Sequence, residues 1–166
     1  LIRYTRRGLL RRLKRGLYAV EGRLPSMWAL ANRLYQPSYL SLESALSYYG
    51  IIPETVYSIT SVTTKSTREF EALGTRYLFR TITRKGFSGY RSVEIDGQAV
   101  LVAEKAKALA DHLYFVFLKK ASLNSRLRLN GVNRRELLKH LEAFQRPGLV
   151  EWFTHDLKIS DHRSAR

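Results

Sequence analysis

The sequence predicts an α+β fold: a short basic N-terminal segment, then a mixed domain with an antiparallel sheet and packed helices. Two stretches predict it. In residues 36–64 an amphipathic helix pattern stops at Gly50 and gives way at once to β-branched and aromatic residues. In residues 90–119 an Asp-Gly hairpin leads straight into a long helical period. Helix and strand signals that alternate at this spacing, each with an apolar face, need each other to bury that face.

Taken in order, the chain begins LIRYTRRGLL. Gly8 is expected to close a short helix that carries Arg3, Arg6 and Arg7 on its exposed side. LRRLKRGLYAV follows, with a turn near Lys14 to Gly16 between two strand-like runs, so a hairpin with a basic tip is expected. A helix end followed by a basic hairpin is the layout of a winged helix-turn-helix, whose wing lies along phosphates. Leu1 stands where a start Met would, so a fragment is expected, with the first helices of that module upstream. The leucines Leu9, Leu10, Leu13 and Leu17 argue against a disordered tail, because they need something to pack on.

Gly22 and Pro25 break both periods and mark a link. Ser26 caps a helix to about residue 35, with Trp28, Leu30, Ala31, Leu34 and Tyr35 on its apolar face. Ser41 is the expected N-cap of the central helix, in which Leu42, Ala45, Leu46 and Tyr49 share one face. Gly50 ends it and Pro53 blocks a restart. Val56 to Thr64 then reads as a strand. Residues 65–82 read as two strands about a turn at Leu73-Gly74, with Arg68, Glu69, Glu71, Arg76 and Arg80 on an exposed face. Residues 83–89 form a loop. In residues 90–102, Asp96-Gly97 between apolar runs is the strongest short-range hairpin signal, a type I′ turn.

Residues 103–119 form one helix with Ala106, Leu109, Ala110, Leu113 and Phe117 at helical spacing; Lys105, Lys107, Asp111 and Lys119 fall elsewhere on it, and Lys107 is read as solvated. Residues 122–133 are irregular. Asn133 and Glu136 make a capping-box-like start to a helix that carries Leu137, Leu138, Leu141 and Phe144 and ends before Pro147-Gly148. A last short helix over 149–157 and a frayed tail over 159–166 complete the expectation.

Composition narrows the function. The chain has 166 residues, 45% of them hydrophobic, enough for a medium domain with a real core. It has no cysteine, so disulfide frameworks and thiolate metal sites are excluded, and a reducing, cytoplasmic setting is expected. No apolar run approaches the roughly 20 residues of a membrane helix. The net charge is +15, and seven of the 29 basic residues fall in the first 16 positions, where there is no acid. They are Arg3, Arg6, Arg7, Arg11, Arg12, Lys14 and Arg15. Such clustering points to a polyanion.

Motifs for chemistry are sparse. No phosphate-binding loop, dinucleotide fingerprint, zinc-protease motif or serine elbow occurs. His112, His140, His155 and His162 are scattered, so no metal or other cofactor is expected. Glu94, Asp96, Glu104 and Lys107, with Glu43 on another helix, could be read as a metal-dependent nuclease. Ordinary structure explains them better: Asp96 by its turn, Glu104 by a helix N-terminus, Lys107 by solvation. Tyr77, Phe79 and Tyr90 would suit RNA only on an open sheet face, and core packing is the expectation.

Three blocks carry a family resemblance. RRGLLRRLKRGLYAV, WALANRLYQPSYLSLESALSYYGIIPETVYSITSVTT and VLVAEKAKALADHLYF together resemble the AbiEi antitoxins, transcriptional regulators of abortive-infection toxin–antitoxin pairs. They span most of residues 3–115. Lys107, Ala108, Leu109 and Asp111 match the last block, whereas Ala106 stands where those proteins usually have Glu. The resemblance implies a remnant of a winged helix-turn-helix over 1–22 and an antitoxin-type α+β domain over 23–166. It implies a non-enzymatic regulator for phage defence that represses its own operator, double-stranded DNA, and counteracts a nucleotidyltransferase-like toxin. The other reading is a protein-interaction module that neutralises a toxin without binding DNA.

Overall fold

The structure, a computed structural model, describes residues 2–129 and 131–157. The expected frayed tail lies outside the described residues. A short helix α1 (Ile2–Arg6) precedes the hairpin β1 (Leu10–Lys14) and β2 (Leu17–Val20). Then come α2 (Met27–Leu34), β3 (Ser38–Leu40), α3 (Leu42–Tyr48), β4 (Ser58–Thr63), β5 (Arg68–Ala72) and β6 (Thr75–Thr81). The hairpin β7 (Tyr90–Ile95) and β8 (Gln98–Ala103) leads into α4 (Lys105–Phe117). Last come α5 (Arg134–Ala143) and α6 (Leu149–Glu151), which runs on into a π-turn over Trp152–Asp156.

The α+β class holds. Six strands form one sheet in the order β5-β6-β4-β3-β8-β7, and β1-β2 form a separate ribbon. The sheet is mixed rather than antiparallel throughout: β4 runs parallel to β6 and β3 parallel to β8. The sequence reading missed β3, because three residues between a proline and a helix cap carry no readable period. Those residues are nonetheless buried at the sheet centre.

Register fixes what covers each face. Tyr39 pairs with Val62, and Thr60, two residues earlier, points the same way, toward α3 and α4. Phe79 pairs with Ser61 and so points the other way, where Tyr35 at the end of α2 packs on it edge-on at 5.4 Å. Phe70, paired with Tyr77, faces that same side and meets Lys14 of the hairpin. One face thus carries α2 and the ribbon; the other carries α3 and α4, with α5 packed on α4. Leu13 of β1 is buried and belongs to the common core. Its burial contributes about 1.5–3 kcal/mol toward holding the ribbon on the body.

The helix ends show how the core is laced. Ser26 caps α2 as expected, its Oγ accepting from Ala29 N–H at 3.2 Å. Asn133 caps α5, its Oδ1 accepting from Arg135 and Glu136 N–H. Ser41 departs from the expectation: it occupies the N-cap of α3, but its hydroxyl makes no cap bond. Thr60 of β4 does that work instead. Its Oγ1 accepts from Ser44 N–H at 2.9 Å and donates to Ser41 carbonyl at 2.8 Å. Ser44 returns the bond, its Oγ accepting from Thr60 N–H at 2.8 Å. In the β7–β8 turn, Asp96 and Gly97 both have positive φ, 52° and 69°, as a type I′ turn requires.

Thr60→Val keeps the shape of the side chain but leaves Ser44 N–H unpaired in the interior and Ser41 carbonyl with only its long bond from Ala45 N–H. Urea denaturation of this variant should show a loss of about 1–3 kcal/mol.

Candidate functional site

Two clusters of charge stand out, one at the surface and one in the core. The surface cluster begins in α1. Gly8, at φ 69°, closes that helix, with Gly8 N–H bonded to Thr5 carbonyl and Leu9 N–H to Tyr4 carbonyl. The chain then reverses into β1. Arg3, Arg6, Arg7, Arg12 and Arg15 are exposed, and none has an acidic partner among the described residues.

The other two of the seven predicted cations are engaged. Arg11 is exposed but pairs with Glu21 through two hydrogen bonds, Nε to Oε2 at 2.9 Å and Nη2 to Oε1 at 2.7 Å. Lys14 turns inward. A β-bulge between Arg12 and Lys14 breaks the ladder at Leu13. Leu13 drops into the core, and Lys14 Nζ donates to Leu34 carbonyl while lying 5.3 Å from the centre of the Phe70 ring. Lys14 therefore ties the ribbon to the body.

Beside Lys14 a groove of about 440 Å³ opens between ribbon and body. Five cations line it: Lys14 and Arg15 from the ribbon turn, Arg33 from α2, Lys65 from the turn after β4, and Arg68 at the start of β5; no acid does. Lys65 Nζ and Arg68 Cζ lie 5.6 and 5.5 Å from the centre of the Tyr35 ring. Arg33, Lys65 and Arg68 were not among the sequence-predicted site residues. Arg33 comes from one segment and Lys65 and Arg68 from another, and no local run of charge marks them.

The core cluster corrects the sequence reading of Lys107 as a solvated residue. Lys107 and Asp111 are both fully buried, one helical turn apart on α4. Lys107 Nζ lies 2.6 Å from Asp111 Oδ1, close enough for ion pairing but off the alignment of a hydrogen bond. Asp111 Oδ2 accepts from Ser41 Oγ–H at 2.6 Å and from Tyr39 O–H at 3.2 Å. Lys107 Nζ also sits 4.3 Å from the centre of the Phe144 ring. Burial pushes the Asp111 carboxyl up, while Lys107, Ser41 and Tyr39 pull it down; burial is the larger effect. Tyr39 is raised by burial and then by the Asp111 charge, so it stays a donor.

The loop 83–89 seals this centre. A Cβ on Gly86 would meet the Phe144 ring at 2.5 Å, and one on Gly89 would meet His140 Cε1 at 2.5 Å and Lys107 Cγ at 3.1 Å. His140 is shifted down by burial and next by the Lys107 charge. His112 is buried without a hydrogen bond at either ring nitrogen and is likewise shifted down, chiefly by burial. Glu43 Oε1 is 3.9 Å from its Nδ1.

The nuclease residues are not brought together. Asp96 and Glu104 lie at opposite ends of the six-residue strand β8, on the order of 20 Å apart. Lys107 belongs to Asp111. Among the described residues, no group of three His, Asp or Glu side chains could hold a metal ion. Tyr77 and Phe79 are buried, so they offer no stacking platform. No helix among the described residues is long and apolar enough to cross a membrane.

Asp111→Ala should lower stability by about 3–5 kcal/mol, because it strands a buried ammonium. The double variant Lys107→Met/Asp111→Leu should lose less than Asp111→Ala alone, measured by urea denaturation. The pH dependence has a definite sign. Both histidines bind protons less readily folded than at the usual 6.5 or so, so the unfolded chain takes up more protons in that window. Their contribution is present above about pH 6.5 and is lost as pH falls through their folded values. The urea midpoint should drop between pH 7.5 and 5.5, and His112→Leu should shrink that drop.

No family model matches this sequence, and no curated protein matches it.

Proposed function

We propose that this chain is a DNA-binding regulator of the antitoxin type, which grips duplex DNA through α1 and the β1–β2 ribbon. The observation that carries the reading is the set of five exposed arginines without acidic partners, Arg3, Arg6, Arg7, Arg12 and Arg15, on a helix and ribbon anchored to a folded body. An anchored ribbon loses little freedom on binding, so its charge goes into phosphate contacts. Arg12 and Arg15 lie along the backbone and position the protein. Arg6 and Arg7, at the end of α1 and just beyond it, reach toward a guanine edge.

The resemblance to the AbiEi antitoxins supplies the biological half of the proposal: repression of its own operator and opposition to a nucleotidyltransferase-like toxin. The role is binding, and the residues proposed for it do no bond-making.

Titration of duplex binding against salt tests the assignment. Each phosphate left without its cation lowers the slope by about 0.9, so Arg12→Ala/Arg15→Ala should lower it by about 1.8. Arg11→Ala should change it less, because Glu21 already neutralises Arg11. An unchanged slope in the double variant would sink the ribbon assignment. Expressed beside the toxin, the same double variant should still rescue growth if DNA binding and toxin opposition are separate.

A further inference from the structure

The groove between ribbon and body is a different kind of surface from the outward arginines. It is concave, and its volume of about 440 Å³ is that of a small-ligand cleft. Its five cations come from the ribbon turn, the end of α2, the β4–β5 turn and the start of β5, and converge on one space. None of Arg15, Arg33, Lys65 and Arg68 has an acidic partner among the described residues. Two half-buried rings, Tyr35 and Phe70, stand among them. Tyr35 is fixed in place: its hydroxyl donates to Ser66 carbonyl at 3.1 Å, and its ring packs on Phe70 and Phe79.

We infer that this groove holds one or two nucleotides of a single-stranded nucleic acid, phosphates on the cations and a base against the aromatic wall. The inference rests on the reading of this end of the molecule as a nucleic-acid surface and narrows it to a second, thinner ligand. Cations interleaved with aromatic rings in a groove are what single strands require, because each nucleotide offers one charge and one flat face. A duplex hides its base faces and has no use for the rings. Lys65 and Arg68 already lean on Tyr35, which holds their charged heads at the groove in the absence of ligand. Arg15 belongs both to the ribbon and to the groove, so a strand leaving a duplex held on the ribbon enters the groove directly.

The test uses the full chain with fluorescently labelled oligothymidylate, a labelled random duplex and unlabelled ATP. Arg33, Lys65 and Arg68 are exposed, so their substitution leaves the core intact. Arg33→Glu/Lys65→Glu should weaken oligothymidylate binding at least tenfold and duplex binding no more than about twofold. Arg33→Ala/Lys65→Ala/Arg68→Ala should lower the single-strand salt slope by about 2, at about 0.7 for each cation removed. Arg6→Ala/Arg12→Ala should do the reverse, weakening the duplex and sparing the single strand. Loss of duplex binding to the ribbon variant alone bears on the proposed function; loss of single-strand binding to the groove variants alone bears on this inference. Equal weakening of both ligands by the groove variants, or no binding of oligothymidylate by the native chain, would overturn it. Displacement of the oligonucleotide by micromolar ATP would also overturn it, in favour of a free nucleotide. The single variant Lys65→Ala, with an unchanged urea midpoint, should still show a measurable loss for the single strand.

Discussion

The Asp111 carboxylate is the point where two segments far apart in the chain meet. It takes the Lys107 charge from one turn earlier on α4, the Tyr39 hydroxyl from the central strand and the Ser41 hydroxyl from the corner between β3 and α3. Placing two charges in a dry interior costs several kcal/mol for each ion. Close pairing with Lys107 and two hydroxyl bonds to Asp111 Oδ2 offset that cost. The corner it holds is itself strained: Leu42, a bulky buried residue, has φ 54°. Such a conformation costs about 1–3 kcal/mol and persists only where the surroundings fix it. Ser41, bound to Asp111 on one side and to Thr60 on the other, supplies that fixing.

From this centre outward the molecule divides its labour. The α3–α4 face of the sheet is occupied by structural polar bonds and sealed by the loop over residues 83–89. On the α2 face the body carries a cationic ribbon held by the buried Leu13, the half-buried Leu17 and Ala19, and the ammonium of Lys14. The net charge of +15 is therefore not an even coat. Part of it is neutralised locally, as at Arg11 and Arg76; part is aimed at one end.

Most local structure was legible in the sequence because it is fixed by local chemistry. Asp96-Gly97, Gly8, Ser26 and Asn133 mark their turns and caps through bonds made within a few residues. Lys107 was misread for the opposite reason. Helical spacing places a lysine off the apolar stripe, but α4 is enclosed on nearly every side, and the hydroxyls that complete its ion pair come from distant segments that the period cannot show. Ser41 was read correctly as a cap position, yet its bond is spent on Asp111. The run of cations in 3–15 was visible as a run, but which are free and which are tied depends on Glu21 and Leu34. The groove was illegible because its cations are assembled by the fold.

The place of β3 in the sheet bears on how the chain is made. Its neighbours are β4, which follows it closely, and β8, which is synthesised much later. As the polypeptide leaves the ribosome, β3 to β6 can join while the other flank of β3 has nothing to pair with. For that interval the nascent sheet shows an open edge to every other unfinished chain nearby. At three residues, β3 makes that edge about as short as a strand can be, which leaves little for a wrong partner to zip onto before α4 brings the carboxylate that closes the core.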